Sequence, residues 1–338
     1  MRDAPPPAAA VEDDMDYRVL GRTGLRVSVL GFGCGNVGGL IIRGSPAERE
    51  RAVARALELG INYFDTAVAY GDGVSERHIG QALRAFKSGW YLGTKFRVEP
   101  SERDVPGAVA RSLEGSLQRL GMERVDLLQL HNAIGTPNGL KARFVIDEVV
   151  PALERLRKDG KLRFYGITAN GEPGAIHEVI ESGAVDTTQI FYNLLNPSVG
   201  ADVPPGFPGV DFRRLLQRAR ERNVGVISVR VLAAGALSGV TERHPVAVPS
   251  VDPIASGPDY DTDVRRAQSL RFLVDEGHAA SLVEASFRFV TGTPEVSTAL
   301  VGSSSLDQLE TAAAAVARGP LPSAALARLT SVWKSWPA

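Results

Sequence analysis

Short apolar runs alternate with longer amphipathic stretches along most of the chain. Eight runs read as buried strands, at residues 29–32, 62–65, 90–95, 125–131, 164–168, 188–191, 225–231 and 297–301. Stretches with apolar positions at helical spacing follow them, near 45–59, 75–85, 106–120, 147–159, 174–182, 211–222, 281–290 and 306–317. Strands that alternate with helices in this way predict a parallel sheet.

The number of these units predicts the architecture. Eight of them in about 300 residues fit a closed (β/α)8 TIM barrel, and a doubly wound open sheet is the alternative. The runs 17–20 and 25–27 flank a glycine-bounded turn and predict an N-terminal β-hairpin. A helix near 263–277 is an insertion, and residues 321–336 predict an extra helix at the C-terminus.

Local sequence signals indicate where the first helix begins and ends and where long loops and the tail lie. Ser45, Pro46 and Glu48 have the spacing of a capping box at the start of the first helix, and Gly60 ends that helix. The stretches 201–209 and 237–261 are rich in Pro, Gly, Ser and Asp and predict long loops. Residues 1–15 are expected to be a disordered tail, and 16–338 a single barrel domain.

Composition excludes several classes of protein. With 44% hydrophobic residues and a net charge of -1, the chain is neither disordered nor drawn electrostatically to nucleic acid or anionic membrane. A single cysteine, Cys34, excludes a disulfide framework, and five scattered histidines predict no metal site. Without a signal peptide or an apolar span of membrane length, the expected location is the cytoplasm.

Ionisable side chains stand at the ends of three consecutive predicted strands. Asp65 ends the second strand, Lys95 the third and His131 the fourth. Tyr70 follows Asp65 by five residues. Active sites of (β/α)8 barrels lie at the carboxyl ends of the strands, so these side chains are expected on one face. Each alone is compatible with capping, packing or a solvated surface, but packing seldom requires all four together.

Carbonyl reduction suits this set of side chains. Hydride delivery to a carbonyl carbon places negative charge on the oxygen, which a nearby donor must protonate. An ordinary tyrosine, with a pKa of about 10, releases its proton slowly at neutral pH, and a neighbouring ammonium stabilises the phenolate. We therefore expect Tyr70 to donate the proton beside Lys95. Asp65 would hold Lys95 charged and oriented, and His131 would orient or polarise the carbonyl.

The chain resembles the aldo-keto reductases from residue 17 to 317. The matching segments are 20–28, 31–33, 60–67, 70–76, 93–95 and 125–131. The resemblance implies that Asp65, Tyr70, Lys95 and His131 are a catalytic tetrad. It also implies a nicotinamide cofactor, with NADP(H) as the first choice and NAD(H) as the rival, and a small carbonyl or sugar substrate.

The resemblance implies which residues face the nicotinamide. Gly33 and Cys34 would lie in a loop beside the ring, next to Asp65. The pattern Gly-x-Gly-x-x-Gly at 33–38 is not a Rossmann fingerprint, because the next helix begins only near residue 45.

A second group of residues is implied for the carboxamide of the nicotinamide. In the segment 166–170, Thr168 keeps a hydroxyl, whereas Ala169 stands where an asparagine is usual, so Asn132 or Asn170 is the expected substitute. Gln189 matches the glutamine that grips the carboxamide, and without a ligand it would be an unpaired buried amide.

Two further segments resemble those that carry the phosphates. In 225–235, Val229 takes the place of a tyrosine that usually stacks on the nicotinamide. Arg230 would approach a phosphate or lie across the ring, with a salt-bridged strand-end arginine as the alternative. Leu232 and Gly235 would border the pyrophosphate.

The loop and helix start at 302–308 resemble those that hold the adenosine phosphate. The residues concerned are Gly302, Ser303, Ser304 and Gln308. Helix N-termini favour phosphate, although an ordinary serine-rich helix cap is an equal alternative on these residues alone. The stretch contains no Lys or Arg for the 2′-phosphate of NADP, so NADP(H) stays first on the resemblance alone.

The leading hypothesis is therefore an NAD(P)(H)-dependent oxidoreductase that interconverts a carbonyl and an alcohol. A cofactor-bound barrel that acts as a binding or regulatory subunit is the alternative, and a metal-assisted barrel hydrolase is a third option. Oligomeric state is open.

Overall fold

The fold consists of a small hairpin and eight strands that close into a barrel. A computed structural model describes residues 15–336. The hairpin strands are β1 (Tyr17–Val19) and β2 (Arg26–Ser28). The barrel strands are β3 (Leu30–Gly33), β4 (Tyr63–Asp65), β5 (Tyr91–Phe96), β6 (Val125–Leu130), β7 (Leu162–Thr168), β8 (Thr187–Phe191), β9 (Gly225–Val229) and β10 (Thr298–Gly302). Neighbouring barrel strands are parallel, and β10 pairs with both β3 and β9. The predicted closed barrel is confirmed, and the open sheet is excluded.

Helices surround the barrel between successive strands. They are α1 (Leu40–Arg43), α2 (Pro46–Glu58), α3 (Val74–Leu83), α4 (Val105–Leu120), α5 (Ala142–Phe144), α6 (Val150–Lys158), α7 (Pro173–Glu181), α8 (Leu215–Glu221), α9 (Tyr260–Gln268), α10 (Phe272–Asp275), α11 (Leu282–Thr291), α12 (Leu306–Ala317) and α13 (Ser323–Ser335). Short 3-10 turns lie at Gly21–Thr23 and Ala233–Ser238, and a π turn lies at Val145–Val149. The predicted C-terminal helix is α13.

The start of α2 follows the capping-box prediction. The Ser45 side chain accepts a hydrogen bond from the Glu48 backbone N–H, and the Glu48 carboxylate accepts one from the Ser45 N–H at 2.8 Å. Pro46 occupies the first helical position, where a missing N–H costs nothing.

Three predicted helices have different bounds in the structure. The helix expected at 211–222 begins only at Leu215, because Arg213 and Arg214 have left-handed φ angles of 51° and 57°. The helix expected at 263–277 is divided into α9 and α10. The helix expected at 147–159 is entered through α5 and the π turn.

The hairpin closes the amino end of the barrel. Leu20, Leu25 and Val27 pack with the inward side chains of Leu127 and Ile227 in a buried apolar layer. The opposite end, where the strands finish, carries the predicted site.

The predicted tail, 1–15, falls outside the described residues except for Met15. Met15 is buried in the main apolar core. Within residues 15–336, no helix is long and apolar enough to cross a membrane. In the same part of the chain, no group of three His, Cys, Asp or Glu side chains is arranged to hold a metal ion.

Candidate active site

Lys95 is the centre of the polar cluster at the strand ends. Its Nζ donates to the Asp65 carboxylate at the end of β4, to the Thr66 carbonyl oxygen at 2.8 Å and to the Tyr70 hydroxyl oxygen at 3.2 Å. An ammonium has three N–H donors, so all three are used. Because the phenol oxygen accepts from Lys95, the phenol proton is left to point elsewhere. The structure thus brings together Asp65, Lys95 and Tyr70 as the sequence predicts.

The charges of the buried pair are set by their surroundings. Burial alone would lower the pKa of Lys95, but the Asp65 carboxylate and Tyr70 raise it above its ordinary value. Burial raises the pKa of Asp65, against the opposing effect of Lys95 and of the Gln189 hydrogen bond. The raised pKa of Lys95 keeps the ammonium charged at neutral pH.

His131 lies beside Tyr70 in the same cluster. The two rings meet edge to face, with centroids 6.2 Å apart and an interplanar angle of 90°. The His131 backbone N–H donates to the Phe96 carbonyl at 2.8 Å, which fixes the residue directly after β6. Burial lowers the pKa of His131 to about 3, and Lys95 and Arg97 add to this effect. The imidazole is therefore neutral throughout the neutral pH range.

The loop that carries Tyr70 is fastened by Ser75, at the start of α3. The Ser75 hydroxyl donates to the Cys34 carbonyl at 2.8 Å, and its oxygen lies 2.8 Å from the Thr66 hydroxyl. Since Ser75 has one proton, Thr66 donates in the second bond. Sequence reasoning missed this anchor, because a serine inside a helix gives no sign of a distant partner.

Glu76 fastens the same helix from the other side. Its fully buried carboxylate accepts from the Thr94 hydroxyl at 2.6 Å and from Arg119 Nε at 2.6 Å. Thr94 precedes Lys95 on β5, so the Glu76 carboxylate connects the helix after the Tyr70 loop to the strand that carries Lys95. The signal that sequence reasoning overlooked is an acid on the apolar face of α3, three residues before buried Ile79.

Gln189 is paired, contrary to the expectation of an isolated buried amide. Its Nε2 donates to Asp65 Oδ2 at 2.7 Å, and its Oε1 accepts from the Thr168 hydroxyl at 3.3 Å. The argument from an unpaired amide is therefore wrong, although one N–H of Gln189 is still available. Thr168 ends β7 and pairs with Gln189, the third residue of β8.

The two expected asparagine substitutes differ in their surroundings. The Asn132 side chain is engaged with the Val98 backbone through bonds of 2.9 and 2.8 Å. Asn170 makes backbone bonds, to Thr168 at 2.7 Å and from Ile134 at 2.8 Å. Of the two side-chain amides, that of Asn170 is the one without a hydrogen bond to the described residues.

The loop after β3 approaches Asp65 from the other side. Gly33 pairs with Asp65 in the barrel, and the Cys34 N–H donates to the Asp65 carbonyl at 2.9 Å. Burial raises the pKa of the Cys34 thiol, followed by the effect of the Asp65 charge. Cys34 is thus a neutral packing residue at the edge of the site.

Arg230 leaves the end of β9 with a left-handed φ of 59°. Its Nη1 donates to the Asp252 carbonyl at 3.3 Å, in the long loop predicted at 237–261. Within residues 15–336 this contact is to a backbone carbonyl and not to a carboxylate, so the structure gives no support to the salt-bridged alternative. Burial lowers the pKa of Arg230, and the charges of Tyr70 and Asp252 oppose this effect.

The segment after Arg230 has an unusual backbone. Leu232 precedes a 3-10 turn in which Ala234 has a φ of 60° and Gly235 a φ of 109°. Residues other than glycine seldom adopt this region, and such strain clusters at binding sites.

The predicted adenosine-phosphate loop packs on the loop after β3. Ser304 Oγ donates to the Gly38 carbonyl at 2.6 Å, and the Ser304 N–H donates to Gln308 Oε1 at 2.8 Å. A Cβ at Gly38 would lie 2.5 Å from the carbonyl carbon of Gly302, so only glycine fits this contact. The buried Ser303 hydroxyl has no hydrogen-bond partner among the described residues.

Comparison with known proteins identifies the family to which the chain belongs. The model of the aldo/keto reductase family matches residues 29–334. The chain belongs to the aldo/keto reductase family. It is 30% identical to L-galactose dehydrogenase of Arabidopsis thaliana, over 89% of this chain and 88% of that protein. It is 27% identical to pyridoxal 4-dehydrogenase of Microbacterium luteolum, over 87% and 91% of the two chains.

A solved structure gives the same result for the fold. The holo form of aldo-keto reductase AKR11C1 from Bacillus halodurans has a TM-score of 0.70 and 27% sequence identity. The match covers 96% of this chain and 98% of that one. The protein is thus an oxidoreductase of the carbonyl–alcohol type within this family.

The residues of this aldo/keto reductase fit the nicotinamide cofactors that members of the family generally bind. A buried hydroxyl without a partner, at Ser303, stands before the N-terminus of the twelve-residue helix α12. Such a position suits a phosphate, because the helix dipole and free N–H groups attract anions. The strained turn at Ala233–Ser238 begins three residues after Arg230, the cation expected to approach a phosphate.

Proposed function

We propose that this protein is an NAD(P)(H)-dependent oxidoreductase that interconverts a carbonyl and an alcohol, with Tyr70 as the general acid and base. The observation that carries the proposal is the position of Lys95, whose buried ammonium donates to both the Asp65 carboxylate and the Tyr70 hydroxyl. A cation fixed on a phenol oxygen stabilises the phenolate that remains after proton donation.

The chain's own residues divide the work of the reaction. When bound, the nicotinamide cofactor would supply a hydride to the carbonyl carbon in reduction or accept one from the alcohol carbon in oxidation. Tyr70 gives its proton to the carbonyl oxygen in reduction and takes it from the alcohol in oxidation. Lys95 stabilises the phenolate, and Asp65 keeps Lys95 charged. His131 is neutral and lies edge-on to Tyr70. Its imidazole would orient the carbonyl oxygen for the proton transfer.

The cofactor would be held by three groups of residues. Gln189, Thr168 and Asn170 would hold the carboxamide. Asn132 would contribute indirectly, because its side chain is bonded to the Val98 backbone. Arg230 and the turn from Leu232 to Gly235 would hold the pyrophosphate. Gly302, Ser303, Ser304 and Gln308 would hold the adenosine phosphate. NADP(H) is the proposed cofactor on the family resemblance, and NAD(H) is the alternative that binding measurements decide.

A sugar or a simple aldehyde is the proposed substrate class. The names of two relatives, L-galactose dehydrogenase and pyridoxal 4-dehydrogenase, support a small polar substrate with a carbonyl or a hydroxyl at the reacting carbon. The proposed location is the cytoplasm.

Binding and turnover together test this function. NADPH and NADH are titrated against the protein by the fluorescence of the reduced ring, and the preferred cofactor is then used with a panel of aldehydes, ketones and aldoses. We expect saturable binding and turnover of at least one panel member. Binding without turnover would favour the alternative of a cofactor-bound regulatory subunit, and absence of binding would contradict the proposal.

A further inference from the structure

Tyr63 lies directly beneath the proposed catalytic carboxylate. It precedes Asp65 by two residues on β4, so both side chains point into the barrel. Its ring is fully buried in the apolar layer that includes Leu20 and Leu127. Its hydroxyl is the one polar atom it brings to that layer, and it donates to Asp65 Oδ2 at 3.4 Å.

The neighbouring strand leaves room for this hydroxyl. Gly93 faces Asp65 in the pairing of β4 with β5. A Cβ at Gly93 would stand 2.5 Å from the Tyr63 hydroxyl oxygen and 3.5 Å from Asp65 Oδ2. Real Cβ atoms do not approach an oxygen so closely, so the tyrosine hydroxyl and the glycine are mutually adapted.

We propose that Tyr63 is a positioning residue for the reaction, and that its hydroxyl supports the Asp65 carboxylate from below in a space kept open by Gly93. The inference rests on the proposed roles of Asp65, Lys95 and Tyr70. Tyr63 touches neither the substrate nor the reacting atoms, because Asp65 lies between it and the mouth of the barrel. It acts only through the carboxylate.

The two carboxylate oxygens of Asp65 have different hydrogen-bond partners. Lys95 binds Oδ1, whereas Gln189 and Tyr63 both donate to Oδ2. Donors on Oδ2 spread the negative charge of the carboxylate and fix its plane. Without the Tyr63 hydroxyl, Asp65 becomes more basic and draws more strongly on Lys95. The cation then stabilises a phenolate at Tyr70 less well.

Tyr63 keeps its proton and therefore stays a donor. Burial raises the pKa of Tyr63 well above its ordinary value, and the Asp65 charge adds to the effect. Besides Asp65, the charges of Asp126 on β6 and Tyr70 in the loop after β4 add to this rise in the pKa of Tyr63. Lys95 on β5 bonds to the Asp65 carboxylate, and the Cys34 N–H after β3 bonds to the Asp65 carbonyl. Lys95 is the only one of these that bonds to the Asp65 carboxylate within the described part of the chain.

Tyr63→Phe tests the proposal, because it removes one oxygen and keeps the ring. Tyr165→Phe is the matched control, since Tyr165 is also a buried tyrosine whose hydroxyl donates to a carboxylate, that of Glu154, away from the strand ends. With a turned-over carbonyl, we expect Tyr63→Phe to lower kcat roughly three- to tenfold. The alkaline limb of its pH profile should move up by about half a unit, with KM and cofactor Kd within about twofold. Tyr165→Phe should change none of these.

Gly93→Ala tests the space kept for the hydroxyl, because its Cβ would displace the Tyr63 oxygen. It should lower kcat when Tyr63 is present and have a smaller effect in the Tyr63→Phe background.

A second readout does not depend on turnover. The unfolding equilibria of the wild type, Tyr63→Phe, Asp65→Asn and the double variant are compared in urea without cofactor. If the hydroxyl and the carboxylate interact, the effects are non-additive by about threefold or more in the equilibrium constant.

Each outcome decides a separate part of the account. An unchanged kcat and pH profile in Tyr63→Phe would overturn the positioning role, and additive unfolding equilibria would overturn the contact itself. A wild-type protein that binds cofactor but turns over no carbonyl would contradict the proposed function instead. The unfolding cycle would then still decide whether Tyr63 supports Asp65.

Discussion

The Lys95 ammonium is almost entirely shielded from water, and it is bonded to Asp65, Thr66 and Tyr70. Only 1% of its side chain is exposed, and the Asp65 carboxylate is nearly as deeply buried. A charge removed from water is tolerated only with a partner and full hydrogen bonding. The stability of the barrel mouth therefore depends on keeping both members of this pair.

Lys95→Met leaves the Asp65 carboxylate buried without its cation. We expect the free energy of unfolding to fall by about 3–5 kcal/mol in the single variant. The double variant Lys95→Met/Asp65→Asn should recover part of this loss, because no charge is then stranded. Urea denaturation at pH 7 measures both, and equal losses in the two variants would show that the pair does not carry the effect.

His131 predicts how stability depends on pH. Its pKa in the folded protein, about 3, lies below the ordinary value of 6.5. As the pH falls below 6.5, the unfolded chain binds a proton that the folded protein does not, so stability is lost progressively down to about pH 3. In His131→Gln this contribution is absent, and between pH 7 and 4.5 the variant should lose about 2–3 kcal/mol less of its free energy of unfolding than the wild type.

Urea denaturation at the two pH values measures the difference. His244→Asn is the control for removing an exposed imidazole from the protein. The same acid sensitivity in the wild type and in His131→Gln would contradict a neutral imidazole at this position of the folded protein.

At the scale of elements, the position of Tyr70 depends on how α3 is fastened. The loop before α3 contains Gly71, Asp72 and Gly73, all with positive φ, so its own backbone gives little rigidity. The Ser75 and Glu76 side chains replace that rigidity by tying the first turn of the helix to the neighbouring strand ends.

Ser75→Ala removes the link to the Cys34 carbonyl and strands the Thr66 hydroxyl. We expect a loss of about 1–3 kcal/mol in the free energy of unfolding, because buried polar partners are left unsatisfied. The value of kcat should also fall, since the Tyr70 loop is released. Ser286→Ala is the matched control, because that buried hydroxyl donates only to a carbonyl of its own helix. If both variants kept wild-type kcat, the anchor would have no role in placing Tyr70.

The sequence was informative about elements where local chemistry decides the structure. The capping box at Ser45 predicts the start of α2 correctly, because its partners are three residues apart. The start of α8 could not be predicted, since the left-handed Arg213 and Arg214 are held by tertiary contacts such as the bond from the Arg214 N–H to the Ser198 carbonyl. Nothing in the residue types signals that conformation.

At the scale of the molecule, the recurrence of strand and helix was sufficient to predict the barrel. The rule that barrel sites lie at the carboxyl ends of strands then predicted that Asp65, Lys95 and His131 share one face. The pairing of side chains was not predictable, because it depends on the stagger of the strands. Gln189 reaches Asp65 across 124 positions of sequence, and only the closed barrel brings them within 2.7 Å.

Ser303→Ala tests whether the loop before α12 contributes to cofactor binding. Its buried hydroxyl has no partner among residues 15–336, so Ser303→Ala should leave the free energy of unfolding of the cofactor-free protein unchanged or slightly higher. If a phosphate accepts from that hydroxyl, the variant should bind NADPH about three- to tenfold more weakly. Fluorescence titration and urea denaturation measure the two effects, and unchanged affinity would remove Ser303 from the binding surface.

The central claim is that Tyr70 supplies the proton at the carbonyl oxygen. The most direct test is the steady-state rate of Tyr70→Phe with a carbonyl that the wild type reduces, at saturating cofactor, together with a cofactor titration of both proteins. We predict a loss of kcat of about 10²–10⁴-fold, the usual contribution of a general acid, with the cofactor Kd within a few-fold of the wild type. A Tyr70→Phe protein that reduced the same carbonyl at close to the wild-type rate would contradict the claim.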